Sequence, residues 1–212
     1  MKSEEFELYV YRNGFEKKTL IDILDILSVK TMEYMIKDLK KLEENNGDDD
    51  DTVYVYTDGG AKNNGKQNSK AVYGVYVENM DNLSDVWVVS DLVGTNQVAE
   101  LMGIREGLRV INKLNSSKRV VLCTDSMYGI KCVTDWSKRW KENNWRTAKN
   151  EEVKNRALIE EILELYDNER VEFKHIKSHM KEPEDKKSLY YRMWYGNKKV
   201  DEMVSVCLEK DN

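Results

Sequence analysis

Val53–Lys66 reads VYVYTDGGAKNNGK, and Val120–Ser126 reads VVLCTDS. Twice the chain builds a run of apolar and aromatic residues and ends it on Thr-Asp. Runs rich in Val and Tyr suit a pleated, packed surface, so both read as strands. The second run is too continuous in its apolar character for a half-exposed edge, which places it centrally in a sheet. Asp58 and Asp125 then fall at the carboxyl ends of two strands, where sheets with packed helices tend to form their sites. A carboxylate there is half desolvated, and two at neighbouring strand ends repel each other. Taken singly, each also reads as a cap for the segment after it, Asp125 before SMYGIK above all.

Working outward, AVYGVYVEN (Ala71–Asn79), DVWVVSDL (Asp85–Leu92) and VEFKHI (Val171–Ile176) supply three more strands. Gln97, Leu101, Ile104, Leu108 and Ile111 mark one face of a helix. Further helices are expected from about Ser126, over roughly Glu151 to Tyr166, and from about Asn197 to Leu208. This order predicts an α/β fold: a mixed five-stranded sheet with helices packed on it.

Residues 46–51, NGDDDD, are polar with nothing to bury and read as an acidic linker. Before them, Leu20, Ile23, Leu24 and Leu27, then Met32, Met35, Leu39 and Leu42, keep helical spacing. Residues 1–45 are therefore expected to form a small, mainly helical appendage, with a short strand at Phe6–Arg12. Its apolar stripe suits packing within the chain or a protein partner. Residues 52–212 form the main domain.

The 212-residue chain is 40% hydrophobic and 34% charged, in the range of a folded globular protein. No apolar run approaches the roughly 20 residues that span a bilayer, and MKSEEFELYV lacks the pattern of a secretory signal. Cys123, Cys132 and Cys207 show no zinc or disulfide spacing, so a reducing, intracellular setting is expected, cytoplasm or nucleus being left open. The net charge of -5 is unevenly spread. Residues 1–52 hold 14 acidic and 8 basic side chains, residues 131–156 hold 8 basic and 4 acidic, and residues 170–199 hold 9 basic and 4 acidic. A polyanionic partner is compatible with the two basic stretches. Oligomeric state is left open.

Two more acids join the pair. Glu100 lies in TNQVAELMGI and Asp201 in GNKKVDEMVSV, each expected near a helix start, where the helix dipole by itself favours an acid. Four such acids would also supply the hard oxygen ligands that suit Mg²⁺ or Mn²⁺.

At these positions the chain resembles type 1 ribonuclease H. The matching stretches, in the family's order, are YTDGGAKNNG, GTNQVAEL, LCTDS, HIKSH and GNKKVDEM, spread over about residues 52–210. The resemblance implies that Asp58, Glu100, Asp125 and Asp201 hold two divalent ions, Mg²⁺ or Mn²⁺, in the substrate-bound state. It further implies cleavage of the RNA strand of RNA–DNA hybrids, leaving 5′-phosphate and 3′-hydroxyl ends. His179, after the fifth strand, matches a mobile family histidine that shuttles a proton or helps release product. His175, sharing a strand face with Phe173 and Val171, is assigned a structural role. A catalytically weak hybrid-binding module and another metal-dependent nuclease are the alternatives on the same scaffold.

The resemblance also carries hybrid contacts to Asn64, Asn96 and Gln97, whose amides both donate and accept. DWSKRWKENNWRTAKNEEVKN resembles the family's basic protrusion. There Trp145 is expected at a sugar or base edge, with Arg146, Thr147 and Lys149 on phosphates. Trp136 and Trp140, four apart, are expected to support the protrusion's hinge. Departures are Val98, where the family often has Arg, Met180, where Gly is common, and the long stretch between His179 and Asp201. The aromatic and basic residues of that stretch either stack on bases and bind phosphate or pack down as a flap.

Overall fold

The computed structural model describes residues 52–64, 66, 68–89, 94–114, 118–178 and 180–210. The expected appendage at 1–45 and the linker at 46–51 lie outside the described residues. One compact unit comprises Thr52–Lys113 and Lys118–Asn212. In chain order it contains β1 (Thr52–Lys62), β2 (Lys70–Val77), β3 (Asp85–Val88), α1 (Asn96–Lys113), β4 (Arg119–Thr124), α2 (Met127–Lys131), α3 (Ser137–Glu142), α4 (Arg156–Leu165), β5 (Val171–His175) and α5 (Leu189–Glu209). A short π-helical segment, Cys132–Trp136, joins α2 to α3.

The five strands form one mixed sheet in the order β3-β2-β1-β4-β5. β2 is antiparallel to β1 and to β3, whereas β1, β4 and β5 run parallel. The apolar continuity of β1 and β4 has a direct cause, since both of their faces are covered. Val55, Val120 and Leu122 enter the larger core with Leu101, Ile104, Leu108 and Ile162. Tyr54, Tyr56, Val121 and Cys123 enter a second core with Ile176 and Val200. With a side-chain period of two, each strand feeds the two cores in alternation. Among the described residues, no helix is long and apolar enough to cross a membrane.

Four elements differ from the sequence expectation. β1 runs on to Lys62 along β2, so Asp58 lies inside it, paired with Gly74, rather than at its end. β3 ends at Val88, short of the expected Leu92, and residues 90–92 lie outside the described residues. The last helix begins at Leu189 rather than near Asn197, because Ser188 caps it by accepting from the Tyr191 N–H. α4 begins at Arg156 rather than near Glu151, since Asn155 sits in the left-handed region with φ 58° and turns the chain into it.

Candidate active site

The two Thr-Asp pairs meet through strand register. Thr57 pairs with Thr124 as the last pair of the parallel β1–β4 ladder, so Asp58 and Asp125 follow side by side just beyond it, while β1 continues along β2. α1 brings Glu100 to them. It crosses β1 so closely that a Cβ on Gly59 would overlap the Ala99 carbonyl carbon and the Glu100 nitrogen. At Gly103 a Cβ would lie 2.9 Å from the Asp58 carbonyl oxygen. Only glycine permits these approaches.

α5 delivers Asp201 from the other face. Gly74, the ladder partner of Asp58, lies under Val200 and Val204. Further up the helix, Gly196 rests on the Tyr56 ring, where an added Cβ would overlap ring carbons. Tyr56 Oη donates to the Arg192 carbonyl at 3.2 Å, and Arg192 pairs with Glu78 at 2.7 Å while lying 4.3 Å over the Tyr54 ring. These contacts fix where the helix sits along the sheet, and with it Asp201.

The electrostatics register the convergence. Asp58 has its carboxyl pushed up to about 7, first by burial, then by the negative charge of Asp125 and also by those of Asp201 and Glu100; a hydrogen bond from the Gly59 backbone opposes the rise. Glu100 is also raised, by burial and by Asp125, against a lowering hydrogen bond from Ser126. Among the described residues no three His, Cys, Asp or Glu side chains form a ready-made metal-ligand cluster, and Asp201 is exposed. The donor set of carboxylate oxygens fits a hard divalent cation.

The cap reading of these acids does not survive the fold. Ser126, not Asp125, caps α2 by accepting from the Gly129 N–H at 3.0 Å. Glu100 lies past the first turn of α1, whose start is held by Thr95 Oγ1 accepting from the Val98 N–H. Asp201 is deep inside α5 rather than near its start. Helix ends therefore explain none of the three.

The remaining expected residues divide. Asn64 Oδ1 accepts from the Asn96 N–H at 3.1 Å, tying the loop after β1 to the start of α1; both residues, like Gln97, are exposed. Arg146, Thr147 and Lys149 lie in one tight turn, closed by the Thr147 N–H on the Glu151 carbonyl and by Arg146 Nη1 on the Asn150 carbonyl. Trp145, expected at a base or sugar edge, is instead 8% exposed in the larger core. Its φ of 58° turns the indole inward, beside Trp140 and under the Arg156 guanidinium 5.1 Å away. It supports the protrusion from below, as Trp136 and Trp140 do. His179 lies outside the described residues.

The stretch before Asp201 is largely the start of α5. Tyr190 Oη donates to Met180 Sδ at 2.9 Å and Trp194 Nε1 donates to the Met180 carbonyl at 3.0 Å, so these aromatics hold the chain after β5. His175 is exposed rather than packed with Phe173, and its Nε2 lies 3.1 Å from the Asp125 carbonyl oxygen. Two serines were not anticipated. Ser126 Oγ donates to Glu100 Oε2 at 2.6 Å and Ser178 Oγ donates to Asp125 Oδ2 at 2.8 Å. Their signal in sequence was only adjacency, Ser126 to Asp125 and Ser178 to His179.

Comparison with known proteins agrees with this fold. The family model described as RNase H matches residues 50–208. A ribonuclease H of Clostridium botulinum is 33% identical over 131 residues, 60% of this chain and 83% of that protein. One from Pseudomonas putida is 31% identical over 157 residues, 73% of this chain and 92% of that protein. In fold, the chain is similar to the solution structure of the PFV RNase H domain, with TM-score 0.52 and 20% identity, covering 73% of this chain and 94% of that one. With the family's pattern matched over most of its length, this chain belongs to the RNase H family.

Proposed function

We propose that this chain is an endonuclease that hydrolyses the RNA strand of RNA–DNA hybrids, leaving 5′-phosphate and 3′-hydroxyl ends. The observation that carries the reading is the β1–β4 register, which sets Asp58 beside Asp125, with the Glu100 backbone of α1 packed against Gly59. Asp58, Glu100, Asp125 and Asp201 would hold the cations. Mg²⁺ or Mn²⁺, two ions in the substrate-bound state, would supply the Lewis acidity for an activated water and for charge on the departing 3′ oxygen. The chain itself supplies hard ligands, the hydroxyls that orient two of them, and an electrostatic site at the sheet end.

Substrate is held by separate groups. Asn64, Asn96 and Gln97 line the exposed edge beside the start of α1, where amides can read 2′-hydroxyls across a minor groove. Arg146, Thr147 and Lys149 offer one exposed turn to phosphates. His179 is assigned to proton transfer or product release. The proposal includes a reducing, intracellular setting, in keeping with Cys123, Cys132 and Cys207 as free thiols. It also takes residues 52–212 as the catalytic domain.

A four-way assay tests the reading: hybrid, RNA duplex, DNA duplex and single-stranded RNA, each with and without Mg²⁺ or Mn²⁺. Cutting of the hybrid's RNA strand alone, and only with cation, is expected. Strong cutting in EDTA would overturn the mechanism. Hybrid binding without cleavage would leave a binding module instead.

A further inference from the structure

Asp125 stands one residue beyond the last β4–β5 ladder pair, Thr124 with His175. Backbone at that point has left the ladder, and three contacts from the β5 side replace it. The Ile176 N–H donates to the Thr124 carbonyl at 2.9 Å. His175 Nε2 lies 3.1 Å from the Asp125 carbonyl oxygen. Ser178 Oγ donates to Asp125 Oδ2 at 2.8 Å. A carbonyl oxygen only accepts, so Nε2 carries the hydrogen in the second contact.

We propose that His175 and Ser178 are positioning residues that clamp Asp125 at two points: the imidazole fixes its main chain and the hydroxyl fixes its carboxylate. This rests on the proposed reading of Asp125 as a cation-holding group. Both side chains are exposed, so burial in a core does not account for where they sit. A carboxylate offers about four lone-pair sites on two oxygens, and the Ser178 hydroxyl engages one of them. The rest stay available to a cation, on a side chain whose ordering has already been done. Outer partners of this kind orient ligands and tune their affinity.

The test uses the full chain with Ser178→Ala, Ser178→Thr, His175→Ala and His175→Gln, the Thr and Gln variants keeping a donor in place. Mn²⁺ binding to the protein alone is followed by calorimetry, beside hybrid cleavage and thermal melting. Both Ala variants are expected to bind Mn²⁺ roughly tenfold more weakly and to lose kcat at unchanged KM, with recovery in Thr and Gln. Unchanged Mn²⁺ affinity in both Ala variants would overturn the clamp. So would losses that follow a lowered melting temperature and are not recovered by the donor-keeping variants. A parent that binds Mn²⁺ yet cuts no hybrid would remove the hydrolase reading while the calorimetry still decides the clamp. A parent that binds no Mn²⁺ by itself yet cuts hybrid in its presence would overturn the clamp and leave the hydrolase reading standing.

Discussion

Thr57 and Thr124 lie opposite each other in the parallel β1–β4 ladder and both are buried, yet only one hydroxyl is paired. Thr124 Oγ1 accepts from the Ser126 N–H at 3.2 Å, whereas Thr57 Oγ1 has no hydrogen-bond partner among the described residues. A buried polar group left unpaired costs about 1–3 kcal/mol. Thr57→Val keeps the shape and removes the polar atom, so it is expected to stabilise the fold by about 1 kcal/mol. Urea denaturation checks this, and a variant less stable than the parent would show that the hydroxyl has a partner.

Asp58 makes stability depend on pH. Its carboxyl rises from an ordinary 3.8 to about 7 in the fold, so the folded state holds a proton that the unfolded chain has released. The stability from this proton is full below about pH 4 and is lost as pH rises to about 7. In EDTA, the melting temperature of Asp58→Asn should therefore fall less than the parent's between these limits. Parallel curves would reject the assignment.

Asp125 is expected to matter for cleavage and not for folding. Replacing it by Asn should lower hybrid cleavage by about 100-fold or more, about 2.7 kcal/mol. The melting temperature should hold or rise, because one like charge beside Asp58 is gone. Retained turnover would remove Asp125 from the chemistry.

Gly196 tests how α5 is placed. An Ala there meets the Tyr56 ring, and overpacking of this kind costs about 1–3 kcal/mol. Cleavage should fall further than the lost stability explains, since Asp201 travels with the helix. An unchanged melting curve would mean that the helix can shift without cost.

Lys149, exposed in the turn after Trp145, is assigned to a phosphate. Lys149→Ala should weaken hybrid binding, leave kcat unaltered and reduce the log–log salt slope by about 1. An unaltered slope would place the backbone contact elsewhere.

Much of this architecture was legible in the chain. The runs at Val53 and Val120 announced strands because both of their faces are covered, and the α1 stripe announced a helix because one face is. The early start of α5 was not legible: Leu189–Gly196 shows no clean apolar stripe, and its helix is held by the Ser188 cap, the Arg192–Glu78 pair and the Tyr56 contact. Trp145 was misplaced for a related reason. The resemblance to a basic protrusion puts it on the surface, and a left-handed backbone turns it into the core.

Local order in the sequence determined the strands, the helical stripes and the identity of the acids, because side-chain period and propensity act over a few neighbouring residues. Tertiary structure alone decided which acids meet. Thr57 finds Thr124, Gly59 admits Glu100 and Gly196 seats α5 on Tyr56 through contacts between residues far apart in the chain, where no local preference can specify register or approach.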